Sequence, residues 1–254
     1  MELADLVSRF DEALRTADYA DLDASPNGLQ VGPETGTVEH VAVAVDAARE
    51  PIDRAVEADA DLLVTHHGLI WGGLERVTDR AYHRLAPLLT NELPLYVSHL
   101  PLDGHQELAE CSRVADVLGL EDRAPFGRLG DQWIGQRGRY AESVEAETIR
   151  EQLEGLDTGG QPVQHLPFGP TEVETVAIVT GSGADWLDEA RDAGVDAFVT
   201  GEGKGKVYHE AREAGIHVFL AGHYATETFG VRALAERCEG WGLETTTIDV
   251  PTGL

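Results

Sequence analysis

Val38-Glu39-His40-Val41-Ala42-Val43-Ala44-Val45 is matched, 135 positions further on, by Val173-Glu174-Thr175-Val176-Ala177-Ile178-Val179-Thr180. With no gap the match continues to Asp61-Leu62-Leu63-Val64-Thr65 against Asp196-Ala197-Phe198-Val199-Thr200. Short apolar runs bounded by polar residues read as buried strands, and the alanine-rich stretches between them as helices. A second correspondence, at a shorter offset, sets His99-Leu100-Pro101-Leu102-Asp103 beside His223-Tyr224-Ala225-Thr226-Glu227, each after an apolar run, Leu95-Tyr96-Val97 or Val218-Phe219-Leu220. Strands alone align easily by chance; the polar residues at matched strand ends carry the argument. The chain reads as a duplicated α/β unit, strand, helix, strand, helix, strand, whose second copy has diverged.

Outward from the repeat, Leu3, Leu6, Val7, Phe10 and Leu14 predict a helix over 3–16, and Ser25-Pro26-Asn27-Gly28-Leu29-Gln30-Val31-Gly32 a turn. The spacing predicts helices at 47–58, 79–91 and 105–118 and a third strand at 93–98. From Phe126 to Pro170 the chain is rich in Gly and Gln, with a short strand at 133–136, a helix over 143–154 and a strand near 163–168. The expected organisation is a first unit over 1–124, a linking or inserted segment of the second unit over 125–171, and the second unit over 172–254. Its C-terminal helix (228–239) and strand (245–250) can pack back on the first unit. Gly181-Ser182-Gly183 opens a helix at 184–193; such a turn can receive a phosphate on its amides, but without a dinucleotide fingerprint a tight turn is the plainer reading.

Acidic residues number 46 against 19 basic ones, for a net charge of −27. So acidic a surface repels nucleic acid, whose binding rests on Lys and Arg. It fits a halophilic protein in a potassium-rich cytoplasm, where self-repulsion is screened over a few ångströms. No apolar run reaches membrane-spanning length, and the N-terminus is acidic rather than a basic signal segment. Cys111 and Cys238 lie in helical stretches with no disulfide or metal spacing and read as buried thiols. Against this background the only two lysines, Lys204 and Lys206, both follow Thr200-Gly201-Glu202-Gly203.

Thr65-His66-His67-Gly68 ends a strand, where an open α/β sheet places its ligands. His66, His67, Asp103, His223 and Glu227 form the candidate constellation. His66 and His67 point opposite ways on an extended segment unless the chain bends, which Gly68 permits. His223 and Glu227 share a face if the C-terminal helix begins near Tyr224. Imidazole and carboxylate ligands suit zinc, iron, manganese, nickel or cobalt. Five ligands exceed the three of a catalytic zinc, so two ions sharing a bridging carboxylate fit better, and such a pair activates water for hydrolysis. His99 is a supporting partner of the ligands or a general acid or base.

Ser25-Pro26-Asn27-Gly28-Leu29-Gln30-Val31-Gly32, Thr65-His66-His67-Gly68-Leu69-Ile70-Trp71, Ser98-His99-Leu100-Pro101-Leu102-Asp103 and Ala221-Gly222-His223-Tyr224-Ala225-Thr226-Glu227 together resemble the motifs of the Nif-three-like dinuclear metal-centre proteins, commonly named GTP cyclohydrolase 1 type 2 homologues. The resemblance spans nearly the whole chain. It implies two similar three-layer α/β/α units with the metal site between them, metal ligands at the five residues above, and a toroidal homohexamer. It further implies a nucleotide or other small-molecule substrate, in the leading case GTP, with Lys204 or Lys206 near the triphosphate; Glu227 and His99 are the candidate catalytic residues. A non-catalytic metal-binding, regulatory or chaperone ring protein, and a nucleotide phosphatase or phosphodiesterase, are the other readings.

Overall fold

In the computed structural model, which describes residues 1–108 and 110–254, the elements run in chain order as follows. They are α1 (Leu3–Leu14), β1 (Gly28–Val31), β2 (His40–Asp46), α2 (Arg49–Glu57), β3 (Leu62–His67), α3 (Asp79–Thr90), β4 (Leu95–Val97), α4 (Leu100–Asp103) and α5 (Glu110–Leu118). There follow β5 (Glu121–Leu129), β6 (Gln132–Glu145), α6 (Ala146–Leu153), β7 (Gln164–Pro167), β8 (Glu172–Ile178), α7 (Leu187–Asp192), β9 (Ala197–Thr200), α8 (Val207–Ala214), β10 (His217–Leu220), α9 (His223–Gly240) and β11 (Glu244–Thr247). They divide into two units, Met1–Leu102 with Gly230–Val250, and Asp103–Phe229 with Pro251–Leu254.

The first unit holds a five-stranded sheet in the order β1-β4-β3-β2-β11. β2, β3 and β4 are parallel, β11 joins β2 in parallel, and β1 closes the other edge antiparallel to β4. β2 and β3 are apolar without alternation because both of their faces are buried, the mark of a parallel sheet's interior. Ala42, Ala44, Ile52, Leu63, Leu88, Leu95 and Val97 form its core. Each large aliphatic side chain removed from water there stabilises the fold by about 1.5–3 kcal/mol. α1 buries the stripe Leu3, Leu6, Phe10 and Leu14 and stops at Arg15, whose φ of 54° is left-handed.

The second unit repeats the plan. β8, β9 and β10 are parallel, and β7 lies antiparallel to β10 as β1 does to β4. The likeness extends to single hydrogen bonds. An oxygen of Asp61 accepts the N–H groups of Glu39 and His40 at 2.8 and 2.9 Å, and an oxygen of Asp196 accepts those of Glu174 and Thr175 at 3.0 and 2.9 Å. The duplication read from strand ends is therefore built into the backbone clasps.

Several elements differ from expectation, and Gly28–Val31, read as part of a turn, is strand β1. The glycine-rich stretch after Phe126, expected as a linking or inserted segment with only a short strand at 133–136, carries more strand than that: β5 and β6 extend the second sheet to β5-β6-β8-β9-β10-β7. Their two-residue turn has Gly130 at φ 58° in its first position, where a II′ hairpin wants glycine. Gly135 is a packing residue, since a Cβ there would lie 2.3 Å from the carbonyl oxygen of Ile178. The helix expected over 105–118 is seen from Glu110, Ala109 lying outside the described residues. Its Cys111, Val114 and Leu118 pack with Tyr140, Ile149, Val176 and Phe219, so residues 103–124 go with the second unit's core. α9 begins at His223, five residues before the expected start, and thereby sets His223 and Glu227 one turn apart. Both cysteines are buried free thiols whose burial pushes them up to about 12. No helix among the described residues is long and apolar enough to cross a membrane.

Candidate metal centre

The first unit gathers His66, His67 and His99, each offering a ring nitrogen within 4.8 Å of the others. β3 delivers the first two and the end of β4 the third. The His66 and His67 rings approach to 4.6 Å between centroids, so the chain does bend there. Gln30 holds the bend: its Oε1 accepts the N–H groups of Leu69 and Ile70 at 2.7 and 3.0 Å, and its Nε2 donates to Pro26 O at 3.0 Å. A Cβ at position 68 would stand 2.6 Å from the Gln30 amide and displace it from this clasp.

Each imidazole is tied through Nδ1 to a group that can only accept. His66 Nδ1 lies 3.0 Å from Ser98 O, His67 Nδ1 2.9 Å from Asp46 Oδ1, and His99 Nδ1 2.9 Å from Asp23 Oδ1. Carbonyl and carboxylate partners force the proton onto Nδ1 and leave the lone pair on Nε2, the tautomer that metal-binding histidines need. Three rings fixed alike is the pattern of a prepared ligand set.

Asp23 does more than orient His99. Its carboxylate, whose side chain is 1% exposed, also accepts Ser25 N–H at 2.9 Å, Asn27 Nδ2 at 2.8 Å and Leu100 N–H at 3.0 Å. Asn27 Oδ1 in turn accepts His99 N–H at 2.7 Å. Burial alone would raise this carboxyl, but the hydrogen bonds from His99, Asn27 and Ser25 outweigh it and hold it below the usual range. Asp23→Ala is expected to destabilise the chain by about 2–4 kcal/mol at pH 7, because four donors lose one buried acceptor. A group with a depressed folded pKa contributes fully above its unfolded value, about 4, and loses that contribution as pH falls through the folded value. Urea unfolding should therefore show the parent and the variant converging on acidification; equal midpoints at pH 7 would contradict this role.

The second unit supplies Asp103, His223 and Glu227. Asp103 is 9% and Glu227 3% exposed, and each offers a carboxylate oxygen within 4.8 Å of the other. His223 Nε2 stands 3.1 Å from Glu227 Oε2 and its Nδ1 3.1 Å from Glu202 Oε1. Burial works against an imidazolium here, but the two carboxylates outweigh it and raise His223 to about 9. The Ser182 hydroxyl, foremost, and then His223 hold Glu202 below its ordinary value. Gly201-Glu202 occupies the place of His66-His67 in the repeat, so the second copy keeps a polar group at the same strand end.

Lys204 and Lys206 follow β9 and are both exposed, engaged with Asp185: Lys204 by a close ion pair, Lys206 at 3.3 Å. His165 lies apart from the site, 3.0 Å from His217 and stacked on Phe219. Asp23, Asp46 and Gln30 have no role in the sequence reading, and Glu202 enters it only as the counterpart of His67 in the repeat. Asp46 had a usable signal: it ends the strand beside β3, in register with His67. Asp23 had none, being 76 residues from the ring it orients.

The model of the Duf34/NIF3 (NGG1p interacting factor 3) family matches residues 1–252. The chain belongs to this family. It is 57% identical to a relative from Halobacterium salinarum and 41% identical to one from Archaeoglobus fulgidus, each named GTP cyclohydrolase 1 type 2 homolog, with both partners covered completely. Among solved structures it is similar to the structural-genomics protein ybgI, described as of unknown function, with a TM-score of 0.91 at 35% identity over the full length of both. A protein of Thermus thermophilus gives 0.89 at 39%, again with full coverage. The duplicated α/β fold of the NIF3 family is thus this chain's fold, and its buried His, Asp and Glu groups can bind a metal ion.

Proposed function

We propose that this NIF3-family chain is a dinuclear-metal-dependent hydrolase acting on a nucleotide, with GTP the leading substrate. His66, His67, Asp103, His223 and Glu227 are the ligands of two divalent ions. The observation that carries the reading is the common orientation of the first unit's imidazoles, each held through Nδ1 by Ser98 O, Asp46 or Asp23, which favours a lone pair on Nε2. Nitrogen donors together with carboxylates fit zinc, iron, manganese, nickel or cobalt. When bound, such a pair of ions lowers the pKa of water and stabilises charge on the attacked centre.

The chain's own residues supply the rest. Glu227, 3% exposed, would serve as a ligand shared by the two ions or take up a proton. His99 Nε2 carries a lone pair and moves a proton while Asp23 keeps the ring oriented. A triphosphate would draw Lys204 and Lys206 away from Asp185. The relatives' shared name supports GTP, and the Halobacterium salinarum relative supports salt adaptation of the acidic surface. The reading also takes from the family likeness a homohexameric ring in the cytoplasm.

The test is metal-loaded protein in molar potassium chloride incubated with GTP. Opening of the imidazole ring, followed by formate release and lost in His67→Ala, supports the cyclohydrolase. Phosphate release lost in the same variant moves the assignment to a phosphatase. GTP left unchanged by both proteins removes turnover and leaves a metal-binding ring protein.

A further inference from the structure

The first unit also presents an aromatic ring that the ligand set does not use. Trp71 is 46% exposed, although an indole is ordinarily a large buried payload. It is nonetheless fixed: Nε1–H donates to Gly68 O at 3.1 Å, and the ring meets His99 edge-on at 5.0 Å and 79°. The His67 ring lies 6.3 Å away. One end of the indole is therefore pinned by the bend that aims the histidines, while much of its surface faces solvent. The loop beyond it is held by Gly72 N–H, which donates to Ala24 O at 2.8 Å. Gly72 and Gly73 also wall a cleft of about 480 Å³ with Ala20, Asp23, Ala24 and Asn27, a volume in the range of small-molecule sites.

We infer that Trp71 is a substrate-binding residue, the platform on which a planar heteroaromatic ring stacks beside the His67 and His99 imidazoles. The inference rests on the nucleotide reading above and narrows it: the ring, and not only the phosphates, is recognised. A rigid indole serves because stacking is sequence-tolerant and loses little conformational freedom on binding, and alanine substitution of such platforms typically weakens binding by about 5–150-fold.

Titration calorimetry on the metal-loaded full chain in high salt tests this with two probes, GTP and inorganic tripolyphosphate, which lacks a ring. The expected result is that Trp71→Leu weakens GTP binding at least about tenfold and leaves tripolyphosphate binding unchanged, with Trp71→Phe between parent and Leu variant. Trp133→Leu, a control at an exposed ring of the second unit, should bind both probes like the parent. Unchanged GTP binding in Trp71→Leu overturns the platform and spares the nucleotide reading. Failure of the metal-loaded parent to bind either probe overturns both. A smaller assembly for Trp71→Leu by light scattering would instead assign the exposed indole to a contact between copies and overturn the inference.

Discussion

Glu227→Ala is expected to abolish stable metal binding in the second unit's donor set and with it any metal-dependent turnover. The carboxylate is almost fully buried, lies 3.1 Å from His223 and shares its surroundings with Asp103. Loss of partners that merely orient ligands costs 10–100-fold in metal affinity, so loss of a ligand itself should cost at least about 100-fold. Protons compete with a metal ion for the same donors. His223 is raised to about 9, so near neutral pH it is an imidazolium between Glu202 and Glu227. A metal ion must displace that proton, and apparent affinity should rise with pH up to about 9. Elemental mass spectrometry of tag-free protein should find about two transition-metal ions per chain in the parent and clear depletion in the variant. Saturating metal at 100 times its dissociation constant stabilises by about 2.7 kcal/mol, or roughly 5–10 °C in Tm for a chain this long. The parent should show that shift and Glu227→Ala should not. Equal metal content and equal thermal shifts would show that Glu227 is a structural carboxylate.

How much of this could be read without coordinates depends on where each signal resides. Fold and ligand candidates lie in contiguous patterns. Asp61 and Asp196 cap matched strands at the same offset, and His66-His67 and His99 end apolar runs, so alignment of the chain with itself finds them. The start of α9 was harder, because His223-Tyr224-Ala225-Thr226 carries no Ser, Asp or Asn cap ahead of it and follows a strand directly. β6 is legible only in part: the expected strand spans 133–136, because Gly135 and Gly138 weaken a strand pattern, yet they are small because neighbouring backbone lies against them. Asp23 could not be seen at all. Its four donors come from residues 25 and 27 in its own turn and from 99 and 100 across the unit, a convergence that exists only after folding.

Gly181→Ala should injure the candidate centre almost as much as loss of a ligand, although Gly181 itself has no side chain to offer. The residue sits at φ 55°, and a Cβ built there would lie 2.0 Å from Glu227 Oε1 and 3.1 Å from His223 Nε2. The backbone cannot yield easily. Gly181 N–H donates to Thr226 Oγ1 at 3.2 Å, its carbonyl accepts the Thr200 hydroxyl at 3.2 Å and Glu202 N–H at 3.0 Å, and a Cβ on Gly201 would be only 2.7 Å from that carbonyl. The added methyl must therefore push the Glu227 carboxylate out of place. Left-handed backbone costs an alanine about 1–2 kcal/mol, and the clash brings the expected loss to roughly 2–4 kcal/mol by urea unfolding. Gly194→Ala separates the two contributions, since Gly194 has φ 68° with nothing within 4 Å of its Cβ. It should show the backbone cost alone and bind metal like the parent. In Gly181→Ala/Glu227→Ala the clash has no partner, so the double variant should be more stable than the sum of the single losses predicts, by about 1–2 kcal/mol. Strict additivity, or normal metal binding by Gly181→Ala, would mean that the turn after β8 does not set the position of the Glu227 carboxylate.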